Sequence, residues 1–233
     1  AAVVGGGSGS PRPGDVSLAH RGVLFLDEFP EYSKNALETL RQPLEDRQIS
    51  ISRARYNVTL PCSFMLVAAM NPCPCGYYND PHHPCTCRPG QVQRYMSRIS
   101  GPLLDRIDLQ VEVVPVSVRE LSSAPAGESS AAIRARVVAA RRRQAARFAD
   151  CPGVHCNAQM AARHIKAFVQ LDESAHAALE QALERLGLSA RAYERVLKVS
   201  LTLADLDGVD QITRTHIAEA ISYRNLDRAS WGE

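Results

Sequence analysis

Two apolar runs, each closed by polar residues at its carboxyl end, constrain this chain more than any other feature. Val23-Leu24-Phe25-Leu26 stops at Asp27-Glu28, and Phe64-Met65-Leu66-Val67-Ala68-Ala69-Met70 stops at Asn71-Pro72. Continuous runs of this length, with no polar alternation, suit strands buried on both faces of a parallel sheet. Between them Ser33 can cap a helix through Leu37, Leu40 and Leu44, which Pro43 should bend or end. Residues 48 to 60 alternate loosely, with Ile49, Ile51 and Val58 flanking Arg53-Ala54-Arg55, the pattern of a hairpin with a basic tip. A helix is predicted over 91 to 104, and Leu109, Val111, Val113 and Val114 mark a third strand. The first unit is therefore α/β.

The flanks read differently. Residues 1 to about 17 are rich in Gly, Ser and Pro and form a loop with turn punctuation. The chain enters at Ala1 on a glycine run, which reads as the middle of a longer protein. After Pro115 a Ser, Ala, Pro and Gly stretch at 122 to 130 marks a boundary, giving units 1-120 and 121-233. The second unit reads all-α: Ile133, Val137, Ala140 and Phe148 fall near helical spacing, and Asp172, Ser189 and Thr213 can cap later helices, the first stopped at Gly187.

Composition excludes little beyond the extremes. With 45% hydrophobic and 22% charged residues in 233, the chain is not disordered. It contains neither an apolar run long enough for a membrane span nor a signal-peptide pattern, so a cytoplasmic location is expected. A formal charge of +2 is too small to mark a nucleic-acid binder, so such a reading needs local clustering.

The chemistry gathers at the strand ends. A strand terminus holds Asp27 where it can bind magnesium through water, and Glu28 beside it can accept a proton from a water attacking phosphate. The bland alternative is an ordinary strand-to-loop junction. Asn71, ending the second run, offers an uncharged amide that can orient that water without quenching Glu28; Asn-Pro alone is a turn signal. Arg106, in Gly101-Pro102-Leu103-Leu104-Asp105-Arg106-Ile107-Asp108, could reach phosphate across a subunit boundary, or form a salt bridge with Asp105 or Asp108 in its own domain.

Four of the seven cysteines crowd one stretch: Cys73, Cys75, Cys85 and Cys87. In a cytosolic chain such clustering favours a closed tetrahedral zinc site over disulfides, with His82 or His83 able to replace one thiolate. Reduced, metal-free thiols are the alternative. Arginines 134, 136, 141, 142, 143 and 147 lie on a helix with one apolar face and read as its solvated side. Arg53 and Arg55, at a hairpin tip without packing duty, are better candidates for DNA contact, with Tyr56 beside them to stack on a base or pack the hairpin.

Taken in order, Arg-Pro-Gly-Asp-Val-Ser-Leu-Ala-His-Arg-Gly-Val-Leu-Phe-Leu-Asp-Glu-Phe, Ala-Met-Asn-Pro-Cys-Pro-Cys-Gly and Ser-Gly-Pro-Leu-Leu-Asp-Arg-Ile-Asp-Leu resemble the magnesium-chelatase-like AAA+ ATPases of the ComM/YifB group. The resemblance continues through Leu188-Ser189-Ala190-Arg191-Ala192-Tyr193. It implies a partial AAA+ P-loop-type parallel sheet core followed by an all-α helical lid. It implies Asp27 and Glu28 as Walker B, Asn71 as sensor 1, Arg106 as arginine finger and Arg191 as sensor 2, Arg195 being the weaker choice. It also implies that the 48 to 60 hairpin and the glycine loop face the pore of a hexamer. The activity implied is that of an ATP- and magnesium-dependent DNA helicase or translocase driving branch migration.

One departure is severe: no Gly-x-x-x-x-Gly-Lys-Ser/Thr loop occurs, and Gly5-Gly6-Gly7-Ser8-Gly9-Ser10 has no lysine. The chain alone is therefore expected not to hydrolyse ATP. Two rivals remain at this point, a chelatase-type metal-insertion motor and a non-enzymatic, zinc-stabilised oligomerisation or DNA-binding module.

Overall fold

The two apolar runs find each other in space. A computed structural model describes residues 3–6, 12–53, 56–113, 116, 127–186 and 189–224. They form two compact units that divide between Ile107 and Asp108. The boundary expected near 120 falls in 117–126, outside the described residues.

The first unit opens with a short antiparallel pair, β1 (Gly5–Gly6) with β2 (Arg12–Pro13). Only glycine suits position 5, where φ is +92° and a Cβ would meet the Arg12 carbonyl oxygen at 2.5 Å. A one-turn helix, α1 (Asp15–Leu18), stands within the stretch expected to be loop and buries Val16 completely. Next, β3 (Val23–Leu26) pairs in parallel with β6 (Met65–Ala68), Val23 opposite Met65 and Leu26 opposite Ala68.

The strands are not buried on both faces as the apolar runs suggest. Leu24 and Leu26 point into the core, while Val23, Phe25, Met65 and Val67 line an exposed face. A parallel sheet buries both faces only when cover packs on each. Among the described residues the core lies on one side, with Phe29, Leu37, Leu40 and Leu103 almost wholly enclosed.

The helix expected through Leu44 is two, α2 (Lys34–Glu38) and α3 (Arg41–Asp46). Ser33 does cap the first, its Oγ accepting from Ala36 N at 3.3 Å. The break comes at Thr39–Leu40 because the Pro43 ring has no N–H for the Thr39 carbonyl and crowds it. An antiparallel hairpin follows, β4 (Gln48–Arg53) with β5 (Tyr56–Pro61), in unbroken register from Gln48–Pro61 to Arg53–Tyr56. Its tip, Ala54 and Arg55, lies outside the described residues.

The helix expected over 91 to 104 is likewise two, α4 (Gln91–Met96) and α5 (Gly101–Leu104). Ser100 starts the second, its Oγ accepting from Leu103 N at 3.3 Å, and Pro102 sits in the first turn, where no N–H is needed. Residues 109–113 form no strand, which corrects the third-strand expectation; Val114 lies outside the described residues. A strand exists only through its ladder, and here Gln110 N instead donates to Tyr223 O at 2.7 Å while Leu109, Val111 and Val113 stay exposed.

The second unit is helical: α6 (Ser130–Arg147), α7 (Ala162–Phe168), α8 (Glu173–Leu186), α9 (Ala190–Asp207) and α10 (Arg214–Ser222). Ser189 Oγ caps α9 through Ala192 N at 3.2 Å, and Asp172 caps α8 through Ala175 N at 2.6 Å. Gly208 ends α9 in the left-handed region, at φ 75°. The core gathers Leu179, Val196, Leu201, Ile212 and Ile217. Ala140 of α6 and Phe148 just after it are buried, but Ile133 and Val137 are exposed.

The arginine helix is not only a solvated face. Arg147 donates both Nη atoms to the buried carboxylate of Asp205, at 2.5 and 2.8 Å, and Asn157 Nδ2 adds a bond at 2.8 Å. Among the described residues no helix is long and apolar enough to cross a membrane.

Candidate active site and metal centre

Because β3 and β6 run parallel and end together, Asp27-Glu28 and Asn71 leave the sheet at the same edge. The backbone continues the alignment beyond the strands: Ala69 N donates to Leu26 O at 2.9 Å, and Phe29 N donates to Ala69 O at 2.9 Å. Asp27 Oδ1 accepts from Glu28 N at 2.8 Å, and Glu28 sits in the left-handed region at φ 48°. A non-glycine residue held there marks a sharp turn out of the strand, and at such positions strain accompanies function more often than elsewhere. Asp27, Glu28 and Asn71 are all exposed, so this edge offers hard oxygen donors facing solvent.

Arg106 is placed otherwise. It is 8% exposed, its Nη1 donates to Pro102 O at 2.6 Å, and its Nη2 donates to the carboxylate of Glu45 on α3. The intradomain partner is therefore Glu45, not Asp105 or Asp108. Nothing in the sequence joins residues 61 positions apart; folding alone does. Arg191, in the first turn of α9, is exposed, while Arg195 one turn on pairs with Asp108. Arg53 stands at the hairpin end of β4, and Arg55 lies outside the described residues.

The cysteine loop closes on itself. One sulfur from each of Cys73, Cys75, Cys85 and Cys87 lies within 4.8 Å of the others, with separations of 3.3, 3.8 and 3.5 Å among the first three. A disulfide would bring two sulfurs to about 2.05 Å. A tetrahedron of thiolates about 2.3 Å from zinc has edges of about 3.8 Å, which these spacings approach.

A backbone amide, that of Tyr77, holds the Cys75 thiol down to about 5, which favours thiolate character in the cluster. Burial pushes the Cys87 thiol up to about 12. Neither His82 nor His83 belongs to the cluster; their backbone N–H groups donate to Asp80 Oδ1 at 2.7 and 2.9 Å, and the His83 ring lies 5.1 Å from that of Tyr77. Asp80 thereby closes the turn that returns the chain to the second cysteine pair.

Comparison with known proteins covers nearly the whole chain. Residues 1–121 match the family described as magnesium chelatase, subunit ChlI, and residues 127–224 match magnesium chelatase, subunit ChlI C-terminal. YifB of Escherichia coli is 48% identical over 229 residues, covering 97% of this chain and 44% of that protein. Competence protein ComM of Haemophilus influenzae is 46% identical over 228 residues, 97% of this chain and 43% of the relative. Probable DNA helicase MCM9 of Arabidopsis thaliana is 30% identical over 108 residues, 46% of this chain and 15% of the relative. The chain thus spans less than half the length of the first two relatives.

Proposed function

Since this chain belongs to the magnesium chelatase subunit ChlI family, we propose that it carries the water-activating part of an ATP-driven AAA+ DNA motor. The observation that supports this reading best is the shared carboxyl edge of β3 and β6, where Asp27-Glu28 and Asn71 emerge side by side. In this reading Asp27 would hold magnesium, Glu28 would take a proton from the attacking water, and Asn71 would orient that water. Magnesium, when bound with ATP, neutralises charge on the phosphate oxygens. Exposed carboxylate and amide oxygens fit that hard cation.

The remaining roles belong to an assembly, taken as a hexamer. Arg106 serves as the arginine finger of the neighbouring subunit's site, Arg191 contacts nucleotide in its own subunit from the helical lid, and Arg53 and Arg55 contact DNA from the hairpin. The name of one relative, a probable DNA helicase, favours DNA as the track; branch migration in recombination is the specific task implied by the resemblance to the ComM/YifB group. Cys73, Cys75, Cys85 and Cys87 hold a structural zinc, whose preferred soft ligands they are. Having no Gly-Lys-Ser/Thr loop, the chain alone does not hydrolyse ATP, and the activity belongs to a polypeptide of its relatives' length.

The test uses that longer polypeptide. Glu28→Gln keeps ATP affinity within about threefold and lowers hydrolysis at least about a hundredfold, the loss expected for a general base. Retained hydrolysis removes Glu28 from the mechanism. The family's description, magnesium chelatase, favours one second reading, a metal-insertion motor, for which a porphyrin is the acceptor to try. ATPase activity stimulated by DNA and indifferent to porphyrin supports the motor; the reverse supports the chelatase.

A further inference from the structure

Glu45 takes no part in the roles above, yet it holds Arg106. Its side chain is 48% exposed while that of Arg106 is 6% exposed, so the acid stands at the rim and the guanidinium lies behind it. In that position the guanidinium is under-used: Nη1 and Nη2 are bonded, but Nε is buried with no partner. A buried donor without an acceptor raises the free energy of the position that holds it. Beside the pair lies a cavity of about 300 Å³ lined by Glu38, Arg41, Gln42, Glu45, Asp46 and Arg106, which gives the side chain room to leave.

Glu45 is also tied to the hairpin. It is the penultimate residue of α3; Arg47 then turns the chain through the left-handed region, at φ 56°, directly into β4. Arg47 O accepts from Cys62 N at 2.9 Å, so both legs of the hairpin are joined where α3 enters it. Cys62 is fully buried and anchors that base. Glu45 thus stands three residues before β4, on the helix that leads directly into the hairpin. The segment bearing Arg106 has holds of its own, the enclosed side chain of Leu103 and the bond from Ser100 to Glu38 of α2, although Glu38 also accepts from Arg41 of α3.

We propose that Glu45 is a latch: it keeps Arg106 withdrawn until nucleic acid tilts the β4–β5 hairpin, which frees the guanidinium for the neighbouring subunit's phosphates. The latch couples DNA engagement to hydrolysis and rests on the assignment of Arg106 as a trans-acting finger. Glu45 is in these terms a positioning residue, acting only through Arg106.

The experiment compares Glu45→Gln and Glu45→Ala with the parent in the longer, assembled polypeptide, measuring ATPase rates with and without DNA, ATP affinity and melting temperature. Both variants are expected to raise the DNA-free rate several-fold, leave the DNA-stimulated rate and ATP affinity in place, and so collapse the stimulation ratio. Glu45→Asp, which restores the charge on a shorter stem, should lie between. An unchanged DNA-free rate, or a parallel fall of both rates, overturns the latch even if the protein stays folded. A separate arm uses Arg106→Ala: full hydrolysis in that variant would sink the finger assignment itself, whatever Glu45 does.

Discussion

Leu26 and Ala68 face each other as the last paired residues of two adjacent parallel strands. Asp27 follows one directly and Asn71 stands three residues beyond the other, so an acid pair and an amide share one edge. The amide gives the sharper test of that arrangement. In the longer polypeptide, Asn71→Ala should hold ATP affinity within about threefold while single-turnover hydrolysis falls about a hundredfold, as when one oriented hydrogen-bonding group is lost from a transition state. An equal loss of affinity and rate would assign Asn71 to ground-state binding.

The cysteine cluster predicts its own stoichiometry. Protein purified reduced and without chelator should contain one zinc per chain, released when a mercurial titrates the thiols. Cys73→Ser, which removes the buried ligand, should abolish zinc retention and lower the melting temperature, since residues between the two cysteine pairs contribute nothing to the buried core. Full stability and an undiminished metal content in that variant would exclude the site.

Arg106 and Glu28 should complement each other across subunits. Arg106→Ala keeps nucleotide binding and loses at least about a thousandfold in hydrolysis, because a finger meets charge that develops only in the transition state. Mixing it with Glu28→Ala subunits should restore sites built from one intact residue of each kind. No recovery in verified mixed rings would return Arg106 to a structural role with Glu45.

In the helical unit, Asp205 predicts an acid limit. Burial alone would raise its carboxyl, but bonds from Arg147 and Asn157 reverse that and hold it below the ordinary carboxylate range. A depressed folded-state value means its stabilisation is complete above about pH 4, the ordinary aspartate value, and drains away as pH falls through the folded one. At neutral pH, Asp205→Ala strands Arg147 in a largely buried site and should cost about 3 kcal/mol or more. Denaturant melts from pH 7 to 3 would show the parent converging on the variant; parallel curves would refute the pairing.

Much of the local order was legible before any coordinates. Ser33, Ser189 and Asp172 cap the helices their positions announce, because a cap is a bond between residues three apart and needs no tertiary context. The cysteine cluster is legible for a similar reason, since both pairs lie on one loop. Lengths failed where context intervenes: Pro43 and Ser100 each divided a predicted helix, and residues 109–113 have the apolar composition of a strand without a described neighbour to pair with.

The sequence by itself determined which side chains end the strands and which residues cap, turn and cluster, all of them relations of short range along the chain. Only the tertiary structure decided which face of Val23–Leu26 is buried, that Arg147 turns inward to Asp205, and that Arg106 answers to Glu45 rather than to its own acidic neighbours. Burial and ion pairing depend on what the fold brings within a few ångströms, and residues 61 positions apart carry no mark of one another until folding brings Arg106 to Glu45.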